Sequence, residues 1–283
     1  MNHPIRIYEV SPRDGIQVMQ HIVDTDLKVK LIESLVKANL KDIEVGSFVH
    51  PKLVPNMADS AEVYEKISHL DGNFGVLVPN GKGLSRAQEV GAKMFNVFFS
   101  PVASFNVANH GKTYDEVFEQ YYIALKDIPR DKIRVYLSMS FHATKKQMNK
   151  AMKDALMLGD KVVLCDTDGK ATSEQFYHTI RRALQHTDNI AIHLHQSTKL
   201  MQNVATAYDM GITEFDCSIG GMGGCPFVEG SQANLATEDL VQWCKERDIP
   251  CDVGDLSQAL EIVSEIKQPF AQEPSVGMQG QLS

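Results

Sequence analysis

Short apolar runs rich in β-branched and aromatic residues alternate along this chain with longer amphipathic stretches. This order of elements predicts parallel strands joined by helices. Eight such cycles are present, and a closed (β/α)8 barrel of roughly 250 residues needs that number. The predicted strands are residues 5–10, 42–45, 74–78, 94–99, 133–139, 161–164, 190–194 and 213–216.

The helical stretches place apolar residues near the 3.6-residue period, most clearly over residues 27–38. A second helix is predicted to begin near residue 58, and the last major helix to run from residue 232 or 234 to about 247. A doubly wound open sheet is the alternative fold. It is disfavoured because no Gly-x-Gly-x-x-Gly follows the first strand.

The predicted domain organisation is one catalytic barrel over residues 1–270 and a polar, aperiodic tail over residues 271–283 that we expect to be disordered. The chain has 283 residues, of which 43% are hydrophobic and 23% charged, values typical of a soluble globular protein. Its net charge of −8 argues against nucleic acid or an anionic membrane as a partner.

The N-terminus lacks the pattern of a secretory signal, and no apolar run approaches the roughly 18 residues that span a bilayer. The five cysteines are odd in number and lack Cys-x-x-Cys spacing, which argues against a disulfide framework and a zinc knuckle. These features favour a cytoplasmic protein with reduced thiols.

Polar residues lie where the predicted strands end, which is the face of a (β/α)8 barrel that carries the chemistry. They are Arg13 and Asp14 after the first strand, Glu44 at the end of the second, Asp166 and Thr167 after the sixth, His193 and His195 at the end of the seventh, and Cys225 and Asn234 in and after the loop that leaves the eighth.

Two histidines at positions i and i+2 of a strand point to the same face, so both imidazoles can reach one ion at about 2.1 Å. A pair like His193 and His195, if it stood alone, would more often be two hydrogen-bonded strand-end histidines. A carboxylate such as Asp14 and an amide oxygen would complete a mixed oxygen and nitrogen ligand set. That set favours Mg²⁺ or Mn²⁺ over a closed structural zinc site.

The glycine-rich run over residues 220–226 is not a phosphate-binding loop, because no Gly-Lys-Ser/Thr follows it. The simplest explanation of the run is a flexible turn. The functional hypothesis is a mobile loop that carries the thiol of Cys225 over the site, since a cysteine flanked by glycines in a loop is more often accessible than buried.

Four segments together resemble hydroxymethylglutaryl-CoA lyase, of the metal-dependent TIM-barrel lyase superfamily: SPRDGIQ at 11–17, IEVGSFVHPKLVPNMAD at 43–59, HLH at 193–195 and GGMGGCPFVEGSQANLATEDL at 220–240. The resemblance runs from about residue 5 to 265. The last segment is the most specific, because the related Claisen-type synthases share the Arg-Asp and His-x-His elements but lack its Gly-Gly-x-Gly-Gly-Cys-Pro loop.

The resemblance implies a (β/α)8 barrel and retro-Claisen cleavage of a 3-hydroxyacyl thioester, with a divalent cation held by Asp14, His193, His195 and Asn234. It implies that Asp14 or His193 takes the proton of the substrate hydroxyl, that Arg13 stabilises the enolate, and that Cys225 protonates the enolate carbon. The remaining pocket residues it implies are Gln17 and Glu44, which orient the arginine or the ligands, and Ser47, Asp166 and Thr167, which line the substrate pocket.

Departures from the family pattern leave alternatives open. Val18 and Met19 stand where the lyases have Asn-Glu, and Gln196 and Ser197 follow the His-x-His where Asp-Thr is usual. The expected partner is a small-molecule acyl thioester or hydroxyacid. The alternatives are a lyase or aldolase for another 3-hydroxyacid, a synthase running the bond-forming direction, and a non-catalytic metal-binding barrel. The oligomeric state is open, with a homodimer as one option.

Overall fold

The computed structural model describes residues 3–224 and 233–268, and its strands close into one eight-stranded barrel. Each strand pairs in parallel with its neighbour in sequence, and the first pairs with the last. This closure confirms the (β/α)8 fold and excludes the doubly wound sheet, which has open edges. The strands are β1 (Arg6–Glu9), β2 (Asp42–Ser47), β3 (Asn73–Leu77), β4 (Met94–Phe99), β5 (Ile133–Leu137), β6 (Lys161–Asp166), β7 (Ile190–Leu194) and β8 (Glu214–Cys217).

Helices follow the strands, and three of them begin with a capping box in which a threonine and a Glu or Gln three residues later bond each other's backbone. The helices of the described ranges are α1 (Thr25–Lys37), α2 (Ser60–Ile67), α3 (Gly81–Glu89), α4 (Ala103–His110), α5 (Tyr114–Leu125), α6 (Lys145–Leu158), α7 (Ser173–Ala183), α8 (Leu200–Asp209), α9 (Thr237–Lys245) and α10 (Ser257–Lys267). None of these helices is long and apolar enough to cross a membrane.

All eight predicted strands overlap the observed ones, and β4 and β7 have the predicted bounds. The predicted fifth strand is too long, because Met139 adopts a left-handed φ of 56° and turns the chain out of the sheet. The prediction for the last major helix was wrong in two respects. Helix α9 begins three residues after Asn234, and a further helix, α10, follows it and packs on α1.

Buried charges fill part of the barrel interior. Arg134 on β5 forms ion pairs with Glu214 and Asp216 on β8, and its guanidinium lies 4.1 Å from the ring centre of Tyr8 on β1. Buried ions of this kind need partners, since an unpaired charge in a dry interior is costly. The network therefore holds Asp216 in place below the C-terminal mouth of the barrel, where β7 ends.

Candidate active site

A tight turn over residues 11–15 places the first two site residues at the barrel mouth. The backbone N–H of Asp14 donates to the carbonyl of Val10 at 2.7 Å, and Pro12 stands at the start of the turn. The chain needs a glycine at position 15 because the loop after β8 passes close to it. A Cβ on Gly15 would lie 2.8 Å from the Cβ of Met222. The Asp-Gly step thus directs Arg13 and Asp14 inward while the chain packs against the loop after β8.

Two carboxylates hold the buried guanidinium of Arg13 between them, those of Asp14 and Glu44. Glu44 is also buried and accepts a second hydrogen bond from Asn96 Nδ2 at 2.7 Å. Burial alone would lower the pKa of Arg13, but the negative charges of Glu44 and Asp14 outweigh it and raise the pKa. Arg13 therefore keeps its charge and a single orientation.

Asp14 accepts hydrogen bonds on both carboxylate oxygens. Gln17 Nε2 donates to Oδ1 at 2.8 Å, and Asn234 Nδ2 donates to Oδ2 at 2.8 Å. Burial alone would raise the pKa of Asp14, but interactions with Arg13 and with the two histidines, and the hydrogen bond from Asn234, lower it. The carboxylate is thus ionised and oriented.

The two histidines of β7 and its extension face each other inside the mouth. The Nε2 atoms of His193 and His195 lie 3.2 Å apart, and His193 Nδ1 lies 3.1 Å from Asp216 Oδ2. Burial alone would lower the pKa of His193, but its hydrogen bond to Asp216 and the charge of that carboxylate raise it. The Asp216 carboxylate at Nδ1 orients the His193 ring so that Nε2 points into the site. Such a contact also makes Nε2 a more basic ligand.

Asn234 reaches this site because the chain returns from the loop after β8 and pairs with the extension of β7. His195 and Asn234 form an antiparallel bridge, Gln196 N donates to Ala233 O at 2.6 Å, and Leu235 N donates to Leu194 O at 3.0 Å. The side-chain Nδ2 of Asn234 donates two hydrogen bonds, one to Asp14 Oδ2 and one to the carbonyl oxygen of Met222. Its Oδ1 is buried and has no hydrogen-bond partner among the described groups.

The two histidine nitrogens and the amide oxygen of Asn234 are suitable donors for one divalent cation. Two nitrogen ligands about 2.1 Å from one ion and at right angles to it lie about 3.0 Å apart, close to the 3.2 Å between the histidine nitrogens. A buried amide oxygen without a donor is rare in proteins, and a cation bound by Asn234 Oδ1 would account for it. Asp14 supplies the negative charge.

A cavity of about 310 Å³ opens beside these side chains. Arg13, Asp14, His193 and His195 line one side of it. Leu53, Val54, Leu77, Phe98 and Phe105 form an apolar wall, and Gln17, Tyr136, Thr167 and Gly224 also line the cavity. The arrangement can hold a small molecule with one charged, metal-facing end and one apolar surface.

The structure brings most of the predicted residues together. Thr167 lines the cavity, while the buried side chains of Glu44, Ser47 and Asp166 do not appear among the described lining residues. Glu44 lies behind Arg13 instead. Cys225 lies outside the described residues, although Gly224 before it lines the cavity.

Sequence reasoning missed Asp216, Tyr136 and the apolar wall. The signal for Asp216 was present, because a carboxylate inside a buried strand calls for a partner. No comparable signal marks the wall residues, because apolar side chains of a cavity and of a core look alike in a sequence.

Comparison with known proteins gives three consistent results. The HMGL-like family model matches residues 4–265. The sequence is 36% identical over 250 residues to a mitochondrial hydroxymethylglutaryl-CoA lyase of Bos taurus, covering 84% of this chain and 77% of that protein. It is 32% identical over 275 residues to the mitochondrial enzyme of Arabidopsis thaliana, covering 92% of this chain but only 59% of the Arabidopsis protein.

Among solved structures, the fold superposes with a TM-score of 0.87 on an HMG-CoA lyase from Acinetobacter baumannii in complex with coenzyme A and 3-methylmalate. That comparison covers 99% of this chain and 97% of the other, at 30% sequence identity.

Proposed function

This chain belongs to the HMGL-like family of carbon–carbon lyases, and from this premise we propose that it cleaves 3-hydroxy-3-methylglutaryl-CoA to acetyl-CoA and acetoacetate. The observation that carries the proposal is that Arg13, Asp14, His193 and His195 line one cavity, while Asn234, whose Oδ1 is buried without a partner among the described groups, donates a hydrogen bond to Asp14. A retro-Claisen cleavage needs a base for the hydroxyl proton, a positive group for the enolate and an acid for its carbon.

We propose Mg²⁺ or Mn²⁺ as the bound ion, held by Asp14, His193, His195 and Asn234. Oxygen and nitrogen donors with positions left for water or substrate suit these ions. When bound, such a cation lowers the pKa of a coordinated hydroxyl and polarises it.

Asp14 is the better of the two proposed bases. His193 has only two ring nitrogens, of which Nδ1 faces Asp216 and Nε2 faces the ligand set. With Nδ1–H donating to Asp216, the single lone pair of a neutral His193 is on Nε2 and faces the ligand set. We therefore assign the Asp14 carboxylate, which lines the cavity, to receive the C3 hydroxyl proton as the C2–C3 bond breaks.

We propose that Arg13 stabilises the thioester enolate that this bond cleavage leaves. A guanidinium has five N–H donors, more than its contacts with Asp14 and Glu44 use. Arg13 lines the cavity and so has donors for a substrate oxygen. Because the two carboxylates fix its plane, little reorganisation is needed as charge develops.

Cys225 is the proposed acid that protonates the enolate carbon to give acetyl-CoA. Support comes from the described residues just before it. Gly223 and Gly224 have φ values of 118° and 148°, which only glycine adopts readily. A Cβ on Gly223 would lie 2.2 Å from Asn234 Nδ2, so the loop leads directly past the proposed ligands.

The compartment we propose is the reducing cytoplasm. The four cysteines in the described ranges, Cys165, Cys217, Cys244 and Cys251, are all free thiols. Free thiols are typical of proteins kept under reducing conditions.

The direct test is turnover of 3-hydroxy-3-methylglutaryl-CoA by the purified chain with Mg²⁺ or Mn²⁺, with acetoacetate and acetyl-CoA measured separately. We expect both products in equal amounts, loss of activity with a chelator, and recovery when the metal is restored. The Asp14→Asn variant should bind metal poorly and remain inactive. Failure to release acetoacetate at saturating metal, together with cleavage of another 3-hydroxyacyl thioester, would overturn the substrate assignment.

A further inference from the structure

A second group of ligand-type side chains lies at the barrel mouth, outside the Asp14 site: His142, Asp166 and Asp168. One ring nitrogen and two carboxylate oxygens from these residues all lie within 4.8 Å of one another. Ligand bonds of about 2.1 to 2.4 Å place opposite ligands of one ion about 4.2 to 4.8 Å apart. The three atoms are therefore close enough for one cation to bind them after small side-chain rotations.

An unsatisfied buried atom gives independent evidence for a ligand here. Asp166 is 1% exposed, and its Oδ1 accepts a hydrogen bond from Ala171 N at 3.2 Å. Its Oδ2 is buried and has no hydrogen-bond partner among the described groups. A buried carboxylate oxygen without a partner is costly.

The two loops that carry the group are held together independently of any ion. Met139 N donates to Thr167 Oγ1 at 2.8 Å, and Phe141 stacks on Phe176 of α7 with ring centres 4.6 Å apart. These contacts fix the short turn that ends at His142. A site on loops already fixed in this way loses little entropy when a ligand binds.

The second loop is equally constrained. Asp168 Oδ1 accepts from Lys170 N at 3.1 Å and lies 3.0 Å from His142 Nε2. Gly169 has a φ of 64°, and a Cβ there would lie 2.8 Å from the carbonyl oxygen of Gln196. The loop after β6 is therefore packed against the segment that follows the catalytic histidines.

We propose that His142, Asp166 and Asp168 form a second divalent-cation site, distinct from the site of Asp14, His193, His195 and Asn234. One imidazole with two carboxylates favours a transition-metal dication such as Mn²⁺ over Mg²⁺, which prefers oxygen ligands. The ion joins the loop after β5 to the loop after β6. Thr167, between the two aspartates, lines the catalytic cavity, so occupancy of this site stiffens one wall of the cavity.

The test is the number of Mn²⁺ ions bound per chain, measured by equilibrium dialysis with metal analysis. The wild-type chain should bind two ions, Asp168→Asn one, Asp14→Asn one, and a chain with both substitutions none. Since loss of a supporting contact costs metal sites about 10- to 100-fold in affinity, loss of a ligand at Asp168 should weaken the second site by about 100-fold or more. Asp188→Asn, an exposed aspartate before β7, is the matched control and should bind two.

His142→Gln provides a second variant at a side chain that is 29% exposed, so the test does not depend on whether Asp168→Asn folds. Crystals grown with Mn²⁺ should show a second anomalous peak within bonding distance of His142 Nε2. The proposal would be overturned if the wild-type chain bound only one ion and Asp14→Asn removed it. It would also be overturned if the Asp168→Asn and His142→Gln variants both still bound two ions. These outcomes are independent of whether the chain cleaves a thioester.

Discussion

Asn234 Nδ2 donates a hydrogen bond of 2.8 Å to Asp14 Oδ2, although the two residues are 220 positions apart in sequence. Nδ2 donates a second hydrogen bond to the carbonyl oxygen of Met222. The two bonds together fix which side of the Asn234 amide carries the oxygen. The oxygen is left buried and without a partner among the described groups, on a residue that contacts the Asp14 carboxylate and pairs with the backbone of His195. The divalent cation that we propose for this site would bind that oxygen.

The first prediction concerns that amide. Asn234→Ala removes the proposed oxygen ligand and one donor to Asp14, so the Mn²⁺ concentration for half-maximal activity should rise by about 10- to 100-fold. The measurement is a metal titration of activity, with anomalous scattering to locate the ion near Asp14, His193 and His195. Asn73→Ala, at the far end of β3, should leave the titration unchanged. An unaltered metal requirement in Asn234→Ala would remove Asn234 from the ligand set.

The second prediction concerns Arg13. A lysine at this position is a point charge and cannot keep contacts with Asp14, Glu44 and the substrate in one plane. Arg13→Lys should therefore lower kcat by about 100-fold or more with little change in KM, because the lost interaction forms mainly in the transition state. Steady-state kinetics check this, with the exposed Arg130→Lys as control. A rise in KM at unchanged kcat would make Arg13 a group for substrate binding alone.

The third prediction concerns Cys225. Cys225→Ser should keep its fold and its metal but lose turnover by about 100- to 10,000-fold, the range for a positioned general acid. The thiol should also be alkylated faster than Cys165 and Cys217, which are buried and whose pKa values burial raises. Metal with substrate should protect it. Full activity of the serine variant, or slower labelling of Cys225 than of the two buried thiols, would disprove the acid role.

The fourth prediction concerns stability and pH. Burial lowers the pKa of His110 to about 4, whereas an unfolded histidine titrates near 6.5. Between these two pH values the unfolded chain binds a proton at His110 that the folded chain does not. The free energy of unfolding therefore decreases as the pH drops from about 6.5 to 4. The loss across that window is at most about 3 kcal/mol.

His110→Phe should remove this dependence and keep the ring contacts with Phe98 and Tyr121. Urea unfolding at pH 7 and pH 4.5 gives the change in the free energy of unfolding for wild type and for His110→Phe. Subtracting one change from the other cancels the contributions of the other groups that titrate in this range. His178→Phe, at an exposed position on α7, should leave the wild-type pH dependence intact. Equal pH dependence in wild type and His110→Phe would show that His110 does not carry the effect.

Local sequence patterns determined the fold and the proposed ligand types. The period of apolar residues belongs to each segment by itself, so eight strands could be placed to within a few residues. The same-face position of His193 and His195 follows from the two-residue period of a strand. The turn at Arg13 and Asp14 follows from the Pro and Gly on either side of them.

Only the tertiary structure decided which distant groups meet and which atoms remain without partners. The pairing of Asn234 with His195 depends on where a loop returns, and the bond from Asp216 to His193 depends on the alignment of β8 with β7. Glu44 pairs with Arg13 rather than lining the cavity, which depends on how the turn after β1 meets β2. The group of His142, Asp166 and Asp168 likewise joins two loops. Contacts of this kind depend on strand stagger and on the paths of the loops in the closed barrel, which no local pattern encodes.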